Sequence, residues 1–259
     1  MTTFVRNWIS EWIIGLGRIA VLCGEIVGSI FRWKMPGRDL VYEIYFIGFK
    51  SQSVVLITGA FTGMVLCAQT YFQFHKVKMD TGTLAVVSVS MASELGPVLT
   101  ALMVAGRVGA AIAAELGTMR VSEQIDALRT LTAHPVDYLV VPRVMATVIA
   151  MPLLTGESIV VGIGAGYIVG VHLLGIDPAY LWHNMYHYTD APDMLTGYIK
   201  AIIFGAIIGI IGCYKGLTCP QGAEGVGRAT TEAVVYSSIT ILISNFFLTL
   251  VLNRLLHSQ

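Results

Sequence analysis

Four ionisable residues stand inside strongly apolar stretches of this chain, and they are the first candidates for chemistry. They are Glu94, Arg107, Glu157 and Lys200. A charged side chain at the centre of a bilayer costs about 2.5–3.5 kcal/mol on insertion scales unless it faces protein or water. Each of these residues therefore indicates either a helix end near the membrane surface or a polar cavity within the membrane.

The residues around these four leave more than one role open. Glu94 is either a helix-end acid or a cavity group that meets a lipid head group, and we favour the second role because intramembrane ionisable residues are usually functional. Lys200 either joins that cavity or extends to the interface. Arg107 and Glu115 are predicted to hold a helix at the inner boundary by pairing or by capping carbonyls. For Glu157, a buried hydrogen bond and a cavity acid are equally suitable.

The sequence contains no familiar catalytic motif. It has no GxxxxGK[ST] phosphate loop, no HExxH and no GxSxG, so ATP binding by the usual loop is not expected. His183 and His187 stand four residues apart, a spacing that can bind a metal on a helix. A third ligand in register is missing, and the neighbouring Trp182, Tyr186 and Tyr188 are typical of an interfacial aromatic belt. We therefore predict no metal site. Because no ATP-binding motif is present either, the energy for any transport must come from another subunit.

Composition places these residues in a membrane protein. The chain has 259 residues, of which 55% are hydrophobic and only 12% charged, whereas a soluble domain is about one quarter charged. The formal net charge is zero, so a basic nucleic-acid surface is not expected. Four scattered cysteines, with no CxxC spacing, predict neither a zinc site nor disulfides.

Five apolar runs are long enough to span a bilayer, which takes roughly 20 residues. They cover residues 53–74, 83–114, 138–174, 195–214 and 233–252. The third run contains Pro142 and Pro152 and is either one tilted, kinked helix or two short ones. We favour one helix, because no polar loop divides the run.

Amphipathic segments flank these spans. Residues 1–34 repeat apolar side chains at helical spacing, which predicts an amphipathic helix lying in the interface. Residues 117–129, directly after the second span, predict a short polar helix. The predicted fold is therefore an all-α integral membrane domain of residues 1–259, with five transmembrane helices and one interfacial helix before them.

Basic residues predict the orientation of the chain. One side would hold Arg6, Arg18, Arg32, Lys34, Arg38, Arg120, Arg129, Lys215 and Arg228. The other side would hold only Lys76, Lys78 and Arg254. The richer side is expected to be cytoplasmic, which puts the amino terminus and the 117–129 helix inside and the carboxyl terminus outside.

Small residues four apart predict close helix packing. The pairs are Gly59 with Gly63, Ala105 with Gly109, and Gly205 with Gly209. The GxGxG of residues 162–166 lies within an apolar helix with no strand before it, so packing is favoured there over nucleotide binding.

Several longer motifs resemble the MlaE/YrbE family of permeases. They are ELGPVLTALMVAGRVGAAIAAELGTMRVSEQIDAL from Glu94, HPVDYLVVPRV from His134, MPLLT from Met151 and GAEGVGRATTEAVVYSS from Gly222. The resemblance spans nearly the whole chain after residue 40. It implies a permease subunit of an ABC transporter that moves phospholipid, or a related lipid, together with proteins that carry the MCE domain.

The resemblance also implies partners and a location. A homodimer in the bacterial inner membrane would bind two cytoplasmic ATPase subunits, with a periplasmic MCE-domain hexamer on the other side. ATP and Mg²⁺ would bind the ATPase, and this chain would hold no cofactor. The ATPase would press on a coupling helix whose contact residues are Gly117, Met119, Arg120, Glu123, Gln124, Asp126 and Leu128.

A lipid pocket at the dimer interface is the third implication. By their positions, the residues of this chain that would line the pocket are Leu66, Phe74, Glu94, Lys200 and Asn245. The chain departs from a family member at Ser93, where that protein has a basic residue, and at Asn245, where it has an acid. Both departures bear on the contacts with the lipid head group.

Three functions follow, from different classes. The first is the lipid-transport permease, which we favour. The second is a membrane enzyme acting on lipids through Glu157 and the outer histidines, and it predicts turnover by this chain alone. The third is a proton-driven transporter using Glu94 and Glu157, and the odd number of spans argues against the inverted repeats of such proteins.

Overall fold

Helices make up all the regular secondary structure that the computed structural model describes, which covers residues 2–31, 37–132 and 134–256. Side chains are described from residue 14 onward within these ranges, except at 16, 31 and 37–39. The first helices are α1 (Thr2–Phe31), α2 (Gly37–Ile44), α3 (Lys50–His75), α4 (Thr83–Ser90), α5 (Gly96–Val104) and α6 (Ala110–Val121). The others are α7 (Gln124–Thr130), α8 (Val141–Ile168), α9 (Pro178–Tyr188), α10 (Ala191–Leu217) and α11 (Ala223–Leu256).

Short π-helical turns join several of these helices into longer rods. The turns are Tyr45–Phe49, Met91–Leu95, Ala105–Gly109, Val136–Val140 and Val169–Leu173. With them, the described residues form five rods long and apolar enough to cross a membrane, as predicted. The rods are Leu40–His75, Asp80–Val121, Val136–Leu173, Ala191–Leu217 and Ala223–Leu256, here called the first to fifth spans.

The third span is one continuous helix, which confirms the preferred interpretation. Pro142 is the second residue of α8, directly after the π-helical turn Val136–Val140, and Pro152 lies further inside the helix, so neither proline divides the span. The two-helix alternative is therefore wrong.

The spans are longer than the apolar runs suggested, most clearly at the start of the first span and of the fifth. The first span begins at Leu40 rather than near residue 53. Its polar residues have partners on other helices: Glu43 pairs with Arg143, Ser51 bonds Arg107 and Gln52 bonds Glu157. Because each polar group is satisfied by tertiary contacts, polarity there does not end the helix.

The two ends of the bundle differ in what covers them. One end carries α9, whose Asn184 amide donates to the carbonyl of Thr81 at the start of the second span. The opposite end carries α7 and contacts α1 near residues 136–140. We call these the α9 end and the α7 end.

The amphipathic segment at the amino terminus is a helix, as predicted. Leu22, Ile26 and Ser29 of α1 are buried, whereas Val21 and Val27 are exposed. The side chains before Ile14 and those of residues 32–36 lie outside the described part, so their predicted interfacial contacts remain predictions.

Glycine contacts hold the first and third spans together. A Cβ on Gly63 would lie 1.9 Å from the carbonyl oxygen of Gly162, and one on Gly59 would lie 2.7 Å from Ser158 Oγ. At Gly63 and Gly162 such close backbone approach is possible because neither helix has a side chain there, and Gly59 leaves room for Ser158. The predicted packing role is confirmed for Gly59 and Gly63 and, in the GxGxG segment, for Gly162 and Gly166, whereas a Cβ on Gly164 would meet nothing within 4 Å.

All four cysteines are free, as the absence of a pairing pattern predicted. Cys67, Cys213 and Cys219 are buried and Cys23 is partly buried. Burial raises the pKa of the Cys219 thiol, so it stays protonated and packs as a small apolar group.

Candidate functional site

A buried lysine lies at the centre of a polar cluster between the second, fourth and fifth spans. The Lys200 side chain is 0% exposed, and its Nζ lies 2.7 Å from Glu94 Oε1. The ammonium also donates to the carbonyl of Ser93 at 3.0 Å and to Thr249 Oγ1 at 2.9 Å. The interpretation of Lys200 as a side chain that extends to the interface is therefore wrong: it is a buried partner of Glu94.

Glu94 is the acid of this cluster and is 35% exposed. Its Oε2 accepts a hydrogen bond from the Asn245 amide at 3.1 Å, and its Oε1 accepts one from the Thr249 hydroxyl at 2.9 Å. The sequence-predicted residues Glu94, Lys200 and Asn245 thus come together on three spans. We call Glu94, Lys200, Asn245 and Thr249 the Lys200 cluster.

Two backbone features bring these side chains together. Glu94 lies in the π-helical turn Met91–Leu95, and such single turns occur often at functional sites. One turn before Lys200, Gly197 lies against the second span, where an added Cβ would be 2.1 Å from the carbonyl oxygen of Ala92. This contact lets the fourth span approach closely enough for a lysine to reach Glu94 while fully buried.

Leu66 lies beside the cluster rather than in it. It lines an open groove of about 360 Å³ together with Phe61, Thr62, Val65, Gln69 and Leu95. Leu95 directly follows Glu94, so the groove runs close to the polar cluster. Phe74 lies apart from the groove lining, at the α9 end, where its ring is 3.4 Å from the position of a Cβ on Gly82.

Glu157 accepts a hydrogen bond from the Gln52 amide at 3.2 Å. Of its two possible roles, this contact favours the buried hydrogen bond between the third and first spans. Its Oε2 is buried and meets no donor among the described residues.

The predicted coupling segment is not one helix. α6 continues to Val121, and α7 begins at Gln124, with Glu123 between them in the left-handed region at φ 59°. Nothing in the sequence signals this break, because glycine is the usual residue for that conformation. The expectation of a single helix over residues 117–129 was therefore wrong.

The seven predicted ATPase-contact residues differ in how exposed they are. Glu123, Gln124 and Asp126 are exposed, whereas Met119, Arg120 and Leu128 are partly buried. Gly117 is buried in α6, where a Cβ would lie 3.4 Å from Cys219 Sγ. Gly117 is a packing residue and not part of an exposed contact surface. Asp126 pairs with Arg129 at 2.9 Å and lies 3.8 Å from Arg120, so it ties the two helices together.

A second polar cluster lies toward the α7 end and involves an arginine that sequence reasoning did not single out. Arg143 Nε lies 3.3 Å from Glu43 Oε1, and its Nη2 lies 3.0 Å from Glu115 Oε2. Its Nη1 donates to the carbonyl of Leu139. Glu115 is therefore paired, as predicted, whereas Arg107 donates to Ser51 Oγ at 2.9 Å rather than to an acid or a carbonyl.

The two histidines of α9 stack on one face of that helix, with ring centroids 6.2 Å apart. In the ranges that the structure describes, no group of three or more His, Cys, Asp or Glu side chains gathers at one place.

Sequence reasoning also missed Thr249, which bonds both Lys200 and Glu94. Its spacing offers a signal, since it follows Asn245 by four residues and so lies on the same helix face. Ser93 acts through its backbone carbonyl, which no side-chain pattern could indicate.

Comparison with known proteins gives consistent matches over most of the chain. The family model described as Permease MlaE matches residues 40–251. A probable ABC transporter permease protein of Rickettsia felis is 46% identical over 234 residues, which cover 90% of each chain. The intermembrane phospholipid transport system permease protein MlaE of Haemophilus influenzae is 36% identical over 247 residues, which cover 94% of each chain.

A plant protein is similar as well. The chloroplastic protein TRIGALACTOSYLDIACYLGLYCEROL 1 of Arabidopsis thaliana is 38% identical over 230 residues, covering 89% of this chain and 66% of that protein. The match over residues 40–251 includes the first four spans, the fifth as far as residue 251, and the Lys200 cluster. Together with the five apolar rods, it indicates a multi-pass protein of the inner membrane, and the chain belongs to the MlaE family of ABC transporter permeases.

Proposed function

We propose that this chain moves a phospholipid, or a related lipid, between the inner membrane and a ring of MCE-domain proteins. ATP would be hydrolysed with Mg²⁺ in a separate ATPase subunit, and this chain would be a non-catalytic permease. The observation that carries the proposal is the Lys200 cluster, an ion pair held within apolar spans beside a groove. The name of the Haemophilus relative, a phospholipid transport permease, supports the choice of cargo.

The arrangement of polar and apolar groups suits a lipid. The Lys200 cluster offers polar contacts for a head group, and the groove lined by Leu66 offers an apolar surface for an acyl chain. Ion pairs of this kind are retained inside membrane proteins mainly where a polar ligand or a pathway needs them.

Uncovered apolar faces on the first and fifth spans support a homodimer around this site. Only 22% of the most apolar window of the first span is buried, and only 11% of that of the fifth. The exposed side chains include Val54, Ile57, Phe61, Val65, Ile239, Leu242, Ile243, Phe246 and Leu250. A second copy packed on these two spans would enclose the groove and the Lys200 cluster, with lipid filling the remaining space.

The α7 end supplies a surface for the ATPase. Glu123, Gln124 and Asp126 are exposed there, while the buried Ile125 anchors α7 to the bundle. The basic residues near this end favour a cytoplasmic location. The α9 end would then face the periplasm and the MCE hexamer, with the carboxyl terminus on the same side.

A purification and transport experiment tests the proposal. The tagged full-length chain, isolated from its own host in detergent, is expected to retain a nucleotide-binding subunit and an MCE-domain protein, identified by mass spectrometry. Reconstituted with them, it is expected to move labelled phospholipid only when ATP is hydrolysed. Lipid transfer by the chain alone, or a complex without a nucleotide-binding subunit, would contradict the proposal.

The coupling surface is tested by Asp126→Asn. Asp126 is 53% exposed, so each of its surface pairs contributes at most about 1 kcal/mol to stability. The variant is expected to keep the assembled complex but to transport less lipid per ATP hydrolysed. Thr130→Ala on the same short helix is the matched control, because its hydroxyl bonds only the local carbonyl of Ala127. Unchanged transport per ATP in Asp126→Asn would count against α7 as the coupling element.

A further inference from the structure

The hydrogen bonds of the Lys200 cluster allow the head group that it accepts to be specified. An ammonium has three N–H donors and no acceptor. The three donors of Lys200 reach Glu94 Oε1, the carbonyl of Ser93 and Thr249 Oγ1. With all three directed at protein atoms and a side-chain exposure of 0%, the lysine has no N–H left for a lipid phosphate.

The acceptors of the cluster are less fully used. A carboxylate accepts only, with about two positions at each oxygen. Glu94 Oε1 faces Lys200 and the Thr249 hydroxyl, whose one hydrogen it shares with the carbonyl of Asn245, whereas Oε2 receives one hydrogen bond, from Asn245. One position on the partly exposed Glu94 is therefore open to a donor from outside the chain.

Asn245 adds a second open acceptor. Its amide nitrogen must face Glu94, because a carboxylate needs a donor, and this orientation is the one observed at 3.1 Å. Its Oδ1 is then directed elsewhere, and it is buried without a donor among the described residues. A buried carbonyl without a hydrogen bond is unfavourable, so a ligand that donates to it gains a contact that the empty protein lacks.

The net charge of the Lys200 cluster also favours a hydrogen-bond donor over a phosphate. Lys200 and Glu94 together carry no net charge, whichever of them holds the shared proton. A phosphate near Glu94 would meet a partly exposed carboxylate and no free cation from this cluster, and like charges repel more strongly where the dielectric constant is low. One amide N–H of Asn245 is the donor that remains among the described side chains of the cluster.

Because the donors of the Lys200 cluster are mostly used and acceptors remain open, we infer that the cluster selects a lipid whose head group donates hydrogen bonds through an amine or hydroxyl. The inference rests on the proposed function, since it takes the cluster to be the head-group site. The donors would bond the partly exposed Glu94 Oε2 and, once a shift of the Asn245 side chain uncovers it, Asn245 Oδ1, and the phosphate would lie away from Glu94. A head group with the same charge but without donors would bind less well.

Two charge-matched pairs of lipids test the inference. Phosphatidylethanolamine and phosphatidylcholine have the same net charge, but only the first has N–H donors. Phosphatidylglycerol and phosphatidylmethanol are both anionic, but only the first has head-group hydroxyls. The full-length chain with its partner subunits is incubated with equimolar dioleoyl forms of each pair in mixed micelles, and the lipid retained after washing is quantified by mass spectrometry.

Within each pair, the donor lipid is expected to be retained about two- to tenfold more than its partner, the range of one net hydrogen bond. The ethanolamine pair and the glycerol pair separate amine donors from hydroxyl donors. Equal retention within both pairs would overturn the inference and leave the proposed function standing. Retention of no lipid at all would contradict the proposed function itself.

Asn245→Ala tests the open carbonyl directly. The variant is expected to reduce the ratio of phosphatidylethanolamine to phosphatidylcholine at least twofold, whereas a merely structural defect would lower retention of both lipids and leave the ratio unchanged. Ser237→Ala is the matched control, because Ser237 lies on the same helix, is buried and also has an oxygen without a partner in the described residues. An unchanged ratio in Asn245→Ala would overturn the role of its carbonyl.

Discussion

The Lys200 cluster and the cluster of Arg143, Glu43 and Glu115, here called the Arg143 cluster, each join one basic side chain to partners on two other spans, yet they differ in what remains open. Lys200 is 0% exposed and pairs with one acid, and beside it the acceptor Asn245 Oδ1 has no donor among the described residues, whereas in the Arg143 cluster the atom without a hydrogen bond is a donor, Arg143 Nε. Arg143 is 11% exposed and pairs with two acids, Glu43 on α2 and Glu115 on α6.

The difference indicates two roles. An arginine guanidinium is a rigid fork that can hold two carboxylates at once, and here it joins α2, α6 and α8 where α6 approaches α7. A lysine is a single point of charge, and its burial leaves Glu94 and Asn245 for the ligand contacts that we propose. The Arg143 cluster therefore suits the transmission of movement, and the Lys200 cluster suits the recognition of cargo. Four predictions test this division, from the largest expected effect to the smallest.

Removing the buried cation should have the largest effect. Lys200→Met leaves Glu94 without its ion-pair partner inside the bundle, and breaking a buried pair from one side typically costs about 3 kcal/mol or more. We expect a large fall in the melting temperature in detergent. The double variant Lys200→Met/Glu94→Gln should be more stable than the single one, because it leaves no unpaired charge. A single variant as stable as the parent would show that the pair is not needed to hold the spans together.

A methyl group at Gly197 should damage the Lys200 cluster and leave the Arg143 cluster intact. In Gly197→Ala the new Cβ would lie 2.1 Å from the Ala92 carbonyl oxygen, an overlap of a kind that costs roughly 1–3 kcal/mol. We expect lower thermal stability and loss of retained lipid. Gly164→Ala is the control, since its Cβ would meet nothing within 4 Å, and it should change neither measurement.

A substitution in the Arg143 cluster should leave unchanged the lipid retention that the Gly197 substitution removes. Arg143→Lys keeps the charge but cannot hold Glu43 and Glu115 in the same forked geometry, with an expected loss of about 1–2 kcal/mol. We expect unchanged lipid retention but less lipid transported per ATP hydrolysed. A loss of retained lipid with intact coupling would remove the distinction between the two clusters.

The smallest expected effect concerns the break between α6 and α7. Glu123→Gly removes a side chain from a left-handed conformation and should stabilise the chain by about 0.5–1 kcal/mol while weakening the coupling surface. Lys78→Gly is the control, because Lys78 has a similar φ of 57° at the α9 end. It should give the same small rise in melting temperature with no effect on transport per ATP.

The sequence was sufficient to predict five spans, because apolar length alone meets the requirement of a bilayer. It was insufficient for their boundaries, since Glu43, Ser51 and Gln52 look like helix ends until their partners on other helices are known. Intramembrane charge singled out Glu94 and Lys200, and the family resemblance added Asn245. The break at Glu123 could not be predicted, because its left-handed backbone depends on tertiary context rather than on residue type.

Contact between the backbones of Gly63 and Gly162 limits where a lipid can travel. With no room between them even for a methyl group, the seam between the first and third spans is closed to an acyl chain 4 Å or more in width. The two helices are thereby joined into one wall, and any widening during a transport cycle must occur on the opposite side of the first span. That side carries the uncovered apolar face on which we propose that a second copy packs, so in such a dimer cargo would enter and leave between the two copies and not through the interior of a single chain.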